Sequence, residues 1–84
     1  MASFSYKPSS VCSREILFDI EDNKLLNVRF IMGCSGNTKG VGALCEGMDV
    51  DEVIKRLENI DCNGRGTSCP DQLAKALKKA KESL

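Results

Sequence analysis

Arg14-Glu15-Ile16-Leu17-Phe18-Asp19-Ile20-Glu21-Asp22-Asn23-Lys24-Leu25-Leu26-Asn27-Val28-Arg29-Phe30-Ile31-Met32 is the stretch that decides the fold. Ile16, Phe18 and Ile20 fall at every second position, which predicts a strand over 14–20. Leu26, Val28, Phe30 and Met32 alternate with Asn27, Arg29 and Ile31, which predicts another. The four polar residues from Glu21 to Lys24 between them read as a tight turn. The two strands are therefore expected to pair as an antiparallel hairpin. Upstream, Phe4 and Tyr6 alternate with polar neighbours and predict a short first strand.

Downstream the period changes. Gly33-Cys34-Ser35-Gly36-Asn37 reads as a turn of small residues. Its glycines and Lys39 are in the wrong register for a phosphate-binding P-loop. Val41, Leu44 and Cys45 follow at helical spacing, with Gly47 as the stop, and Gly40 and Gly42 permit close packing. Asp49 with Glu52 forms a capping-box pattern ahead of a Val50, Val53, Ile54, Leu57 stripe. After a loop over 59–66, which carries Arg65, Ser68 and Asp71 form a second such pattern, with Pro70 in the first turn. Leu73, Ala76, Leu77, Ala80 and Leu84 form the apolar face of the last helix. Asp71–Lys75 and Lys78–Glu82 are expected as ion pairs on its exposed side. Strands first and helices after predict an α+β fold: a small antiparallel sheet of three strands with three helices packed on one face. One domain over 1–84 is expected, since 84 residues bury only a limited core.

Lys plus Arg and Asp plus Glu both number 12, so the chain lacks the basic footprint of a nucleic-acid binder. No apolar run has the roughly 20 residues of a membrane span, and residues 1–10 lack a signal-peptide core. A cytoplasmic location is the expectation. Five cysteines in a reducing compartment are not a static disulfide framework, and an odd number cannot all pair within one chain. The chain has no histidine, so cysteine–histidine or serine–histidine catalysis within it is excluded.

Four of the cysteines sit at element ends. Cys12 precedes the second strand and Cys34 follows the third, so both lie at the hairpin end away from the turn. Cys62 is in the loop before the last helix, and Cys69 is in that helix's first turn. Cys45 continues an apolar stripe and reads as core. Four thiolates suit zinc or an iron–sulfur cluster, neither of which requires histidine. Two other readings stay open. Free cysteines are often small buried hydrophobes. A helix N-terminus also stabilises a thiolate, so Cys69 with Cys62 as resolving partner makes a redox pair.

Thr67-Ser68-Cys69-Pro70-Asp71 carries a resemblance, extended by Tyr6, Val11-Cys12-Ser13, Gly33-Cys34, Gly36-Asn37, Gly40, Glu46-Gly47-Met48 and Cys62. Over nearly its whole length the chain resembles the short stand-alone bacterial branch of the TSCPD domain family. TSCPD domains also form C-terminal parts of ribonucleotide reductase large chains, including cobalamin-dependent ones. The resemblance implies an accessory or detached tail of ribonucleotide reduction, with a reductase or other redox enzyme as partner. It does not imply a complete ribonucleoside-diphosphate reductase, because 84 residues hold no radical-generating site or nucleotide-binding barrel. A weaker resemblance, to NifU-type iron–sulfur scaffold proteins, rests on Gly33-Cys34, Gly47-Met48-Asp49 and Cys69 before the last helix. There the matching histidine is missing, Cys62 is displaced and Cys12 has no counterpart. That resemblance supports the fold more than cluster assembly.

Overall fold

The computed structural model describes residues 2–8, 14–31, 35–60 and 66–83, with backbone only at 35–37. Three antiparallel strands, β1 (Ala2–Tyr6), β2 (Glu15–Glu21) and β3 (Lys24–Ile31), form a sheet in that order. Three helices follow: α1 (Ser35–Cys45), α2 (Val50–Leu57) and α3 (Cys69–Glu82). The α+β arrangement expected from the strand and helix periods is therefore present. No helix among the described residues is long and apolar enough to cross a membrane.

The hairpin turn is set by Asp22 and Asn23, both in the left-handed region at φ 51° and 61°. Two such central residues make a type I′ turn, whose twist matches that of the flanking strands. It joins Glu21 opposite Lys24. Ile16, Phe18 and Ile20 point inward from β2 and are fully buried or nearly so. Phe4 lies opposite Phe18, with the ring centroids 5.5 Å apart.

β3 departs from simple alternation. Leu17 pairs with Arg29 but Asp19 pairs with Leu26, so Asn27 and Val28 together face Phe18 alone. This is a β-bulge, and Asn27 takes its left-handed position at φ 55°. The extra residue shifts the phase of the strand. Leu25, rather than Leu26, is completely buried, while Val28 and Phe30 keep their inward face. Asn27 Nδ2 donates to Asp19 Oδ2 at 2.9 Å. That bond, with a second from Ser3, holds the Asp19 carboxyl below its ordinary range.

α1 begins three residues earlier than a turn over Gly33 to Asn37 would allow, because Ser35, Gly36 and Asn37 form its first turn. Small polar residues suit a turn whose N–H groups lack helical partners. Its inward stripe runs Thr38, Gly42, Cys45, with Val41 half-buried. Leu44 is 79% exposed, since its helical angle falls outside that stripe. Gly42 lies against β3: a Cβ there would sit 3.2 Å from the Val28 carbonyl oxygen, whereas one at Gly40 would meet nothing. Gly42→Leu is therefore expected to destabilise by about 1–3 kcal/mol through overpacking. Gly40→Ala is expected to stabilise by up to about 1 kcal/mol through helix propensity. Urea midpoints of the two variants check both signs. Gly47, at φ 78°, ends the α1 region as its sequence position suggests.

The first of the two capping-box patterns is not used. Asp49 precedes α2 but its side chain makes no cap bond; Asn23 Nδ2 donates to Asp49 Oδ1 at 2.7 Å instead. The carboxylate joins α2 to the hairpin turn, a tertiary use invisible to local pattern. Val50 N–H also donates to Asn23 O at 2.8 Å. On α3, Leu73, Ala76, Leu77 and Ala80 are buried as expected, and join β2, Leu25, Cys45, Val50 and Val53 in one core. Leu84 lies outside the described residues. Lys78 pairs with Glu58 at 2.6 Å rather than with Glu82, because α2 and α3 run side by side.

Candidate metal centre

Cys69 opens α3 and is 8% exposed. The residues around it explain why the helix starts there. Ser68 is the N-cap, its backbone extended, and its Oγ accepts from Asp71 N–H at 3.1 Å. Pro70 lies within the first turn, where a missing N–H loses nothing. Asp71 is 2% exposed, and its carboxylate reaches backwards. Oδ1 accepts from Asn59 N–H at 2.6 Å, and Oδ2 accepts from Thr67 Oγ1 at 2.6 Å. Lys75 Nζ stands 3.2 Å from Oδ2, so this i,i+4 pair has its acid buried rather than on the exposed side. Gln72 Nε2 donates to Thr67 Oγ1 at 2.9 Å. Burial alone would push the Asp71 carboxyl up; the bonds from Thr67, the Asn59 N–H and Lys75 outweigh it and hold it below its ordinary value.

Sequence reading found Ser68 and Asp71 as a cap but missed the buried network of Asn59, Thr67, Asp71 and Gln72. Asp71 and Gln72 fall off the helical stripe of Leu73, Ala76, Leu77 and Ala80, so local period carried no signal for their burial.

The directions of the elements organise the candidate ligands. Gly47 N–H donates to Leu25 O at 2.7 Å, and Leu25 N–H to Met48 O at 2.8 Å, so α1 ends beside the β2–β3 turn. α2 starts beside the same turn, through Asn23. Lys81, in the last turn of α3, donates to Asp51 in the first turn of α2, so α3 ends there too. α1, α3 and the end of α2 therefore all face away from the hairpin turn at their remote ends. The hairpin is open at its remote end, where Arg14 N–H donates to Ile31 O at 2.8 Å.

Cys12, Cys34 and Cys62 lie outside the described residues. A described residue stands within two positions of each. Cys12 is followed within two residues by Arg14, Cys34 directly precedes Ser35 of α1, and Cys62 follows Ile60 beyond α2. Each of these neighbours, like Cys69, is at an element end remote from the hairpin turn. Among the described residues no three Cys, Asp or Glu side chains form a group able to hold a metal. The donor set fits a thiophilic metal or cluster in kind, with four cysteines and no competing histidine.

Cys45 stands apart. It is 4% exposed in the core, at the end of α1 beside the turn, and burial pushes its thiol up. Only thiolate reacts with disulfide reagents. In native protein, Cys45 is expected to resist Ellman's reagent and to react fully in denaturant, as site-resolved mass spectrometry would register.

Comparison with curated proteins and with solved structures returned no match. The family model described as TSCPD domain matches residues 2–81, from the first strand to the last turn of α3. The match includes both the sheet and the Thr67–Asp71 helix start, and on it the chain belongs to the TSCPD domain family.

Proposed function

We propose that this protein is a small metal-binding domain in which Cys12, Cys34, Cys62 and Cys69 supply four thiolates to zinc or an iron–sulfur cluster. The observation that carries this reading is directional. The element ends flanking all four cysteines are remote from the hairpin turn, whereas Cys45, the cysteine read as core, lies beside it. Cys69 also occupies a helix first turn, where the helix dipole favours a negative ligand. A closed four-thiolate zinc site adds folding free energy, a natural supplement to a limited core. An iron–sulfur cluster in the same ligands would supply electron transfer.

Family membership supports a cellular role as an accessory to ribonucleotide reduction, acting through a protein partner such as a reductase chain or another redox enzyme. We infer a cytoplasmic setting from five cysteines that suit a reducing compartment. Balanced charge supports a protein rather than a nucleic-acid partner.

Elemental analysis of protein purified without chelator tests the reading. Stoichiometric zinc or iron is expected. It should disappear on replacing any of Cys12, Cys34, Cys62 or Cys69 by Ser, and persist in Cys45→Ser. Metal-free wild type of unchanged stability would overturn the proposal. A reversible Cys62–Cys69 disulfide in that metal-free protein would favour thiol-redox chemistry instead.

A further inference from the structure

We propose that the outer edge of β1, with the groove between β1 and α3, binds an extended segment of a partner protein that carries an aliphatic and an acidic residue two places apart. The surface includes none of the cysteines, so it stands or falls separately from the thiolate reading. The sheet order is β1-β2-β3, and among the described residues no strand lies beyond β1. The two-residue turn closes on Glu21 and Lys24 as a hydrogen-bonded pair, so odd-numbered residues of β2 bond β3 and even-numbered ones bond β1. Phe4 stands opposite Phe18. The N–H and C=O groups of Ser3 and Ser5 therefore point away from β2, at the open edge.

Natural sheet edges are commonly blunted by charge, proline, a bulge or a covering helix. The β3 edge has such cover: its bulge includes Asn27, whose N–H donates to Glu46 at 2.9 Å, and α1 lies against Val28 through Gly42. Ala2-Ser3-Phe4-Ser5-Tyr6 has no charge, proline or bulge, and Lys7-Pro8 ends it, which leaves an edge for one short strand. On its inward face Ala2, Phe4 and Tyr6 are only half-buried. Phe4, Tyr6, Phe18, Ala76 and Ala80 line a groove of about 190 Å³, with Lys79 on its helix side. That is below the ~300–1,000 Å³ of small-molecule pockets and suits an aliphatic side chain. Charge names the second residue. Lys75, Lys78 and Lys81 each pair with a carboxylate, whereas Lys79 has none among the described residues. Side chains two places apart on an added strand share its inward face, so one enters the groove while the other meets Lys79. β1 itself has no carboxylate, so a second copy paired edge to edge would leave Lys79 unmet.

Two capped peptides of Thr and Ser, each with one Val and one Glu two places apart but in opposite order, are titrated into the isotope-labelled full chain and followed by NMR. At least one is expected to give saturable shifts at the amides of Ser3, Ser5 and Lys79, and slower hydrogen exchange at Ser3 and Ser5. Ser5→Pro removes an outward N–H without removing a β1–β2 bond, and is expected to abolish binding. Lys79→Glu is expected to weaken the Glu peptide by at least roughly 2–5-fold and to favour the same peptide with Lys in place of Glu. Lys79→Glu keeps the test usable where Ser5→Pro fails to fold. No saturable shift on β1 with either peptide, full binding in Ser5→Pro, or equal affinity of wild type for the Glu and Lys peptides would overturn the proposal. A dimer in gel filtration that Ser5→Pro dissolves would assign the edge to a second copy and overturn it too.

Discussion

Phe18→Ala is expected to lower stability by about 3–5 kcal/mol, the range for truncating a buried aromatic ring. Phe18 is 1% exposed at the centre of β2. Its ring stacks on Phe4 at 5.5 Å and an interplanar angle of 23°. Ala76 and Ala80 lie in the same core, and such small residues on α3 leave room for the ring between helix and sheet. The β3 bulge also lies opposite Phe18, so strand, bulge and helix all adjust around this side chain. At roughly 0.05–0.15 kcal/mol per residue, an 84-residue chain has about 4–13 kcal/mol in total. The loss is thus a large share of the whole, and a substantial unfolded fraction without denaturant is expected by circular dichroism. A urea-measured loss under about 1 kcal/mol would contradict a core centred on β2.

Asp71→Ala is expected to be nearly as damaging in metal-free protein. Two charge-assisted bonds, each worth about 1.5–3 kcal/mol, are lost, and the Asn59 N–H and Thr67 hydroxyl lose their acceptor. A loss of at least about 3 kcal/mol follows. The sign of its pH dependence is fixed by the direction of the shift. The Asp71 carboxyl is held below its ordinary value in the fold, despite the opposing pull of burial, so its contribution is complete above the unfolded value of about 3.9. The contribution falls away as pH drops through the lower folded value. Wild-type stability should therefore decline below about pH 4, and the corresponding part of that slope should be missing in Asp71→Ala. Urea titrations between neutral and acid pH, in the presence of chelator, read both slopes.

The parts of the fold legible in the sequence are those governed by period. Ile16, Phe18 and Ile20 alternate and are buried together; Leu73, Ala76, Leu77 and Ala80 recur at helical spacing and are buried together. What period misses depends on contacts between distant residues. Leu26 fits the alternation of β3, yet Leu25 is the buried one, because Asn27 adopts a left-handed conformation and adds a residue to the strand. Asp49 has the spacing of a helix cap, yet its carboxylate binds Asn23, 26 residues away. Leu44 is apolar and near Cys45, yet the helix turns it to solvent. At the site, the selection of Cys69 as a helix-start residue is matched by α3, while Asn59 and Thr67 carried no local mark of the carboxylate they share. Cys12, Cys34 and Cys62 lie outside the described residues, so of the four only Cys69 can be compared with its expected place.

X-ray absorption at the edge of the bound metal, on protein purified without chelator, tests the thiolate site most directly. The expected result is a first shell of four sulfurs, at about 2.3 Å if the metal is zinc. It should lose one sulfur or the metal altogether in Cys69→Ser, and be unaltered in Cys45→Ser. A shell of oxygen or nitrogen donors, or a sulfur shell that survives Cys69→Ser intact, would contradict it.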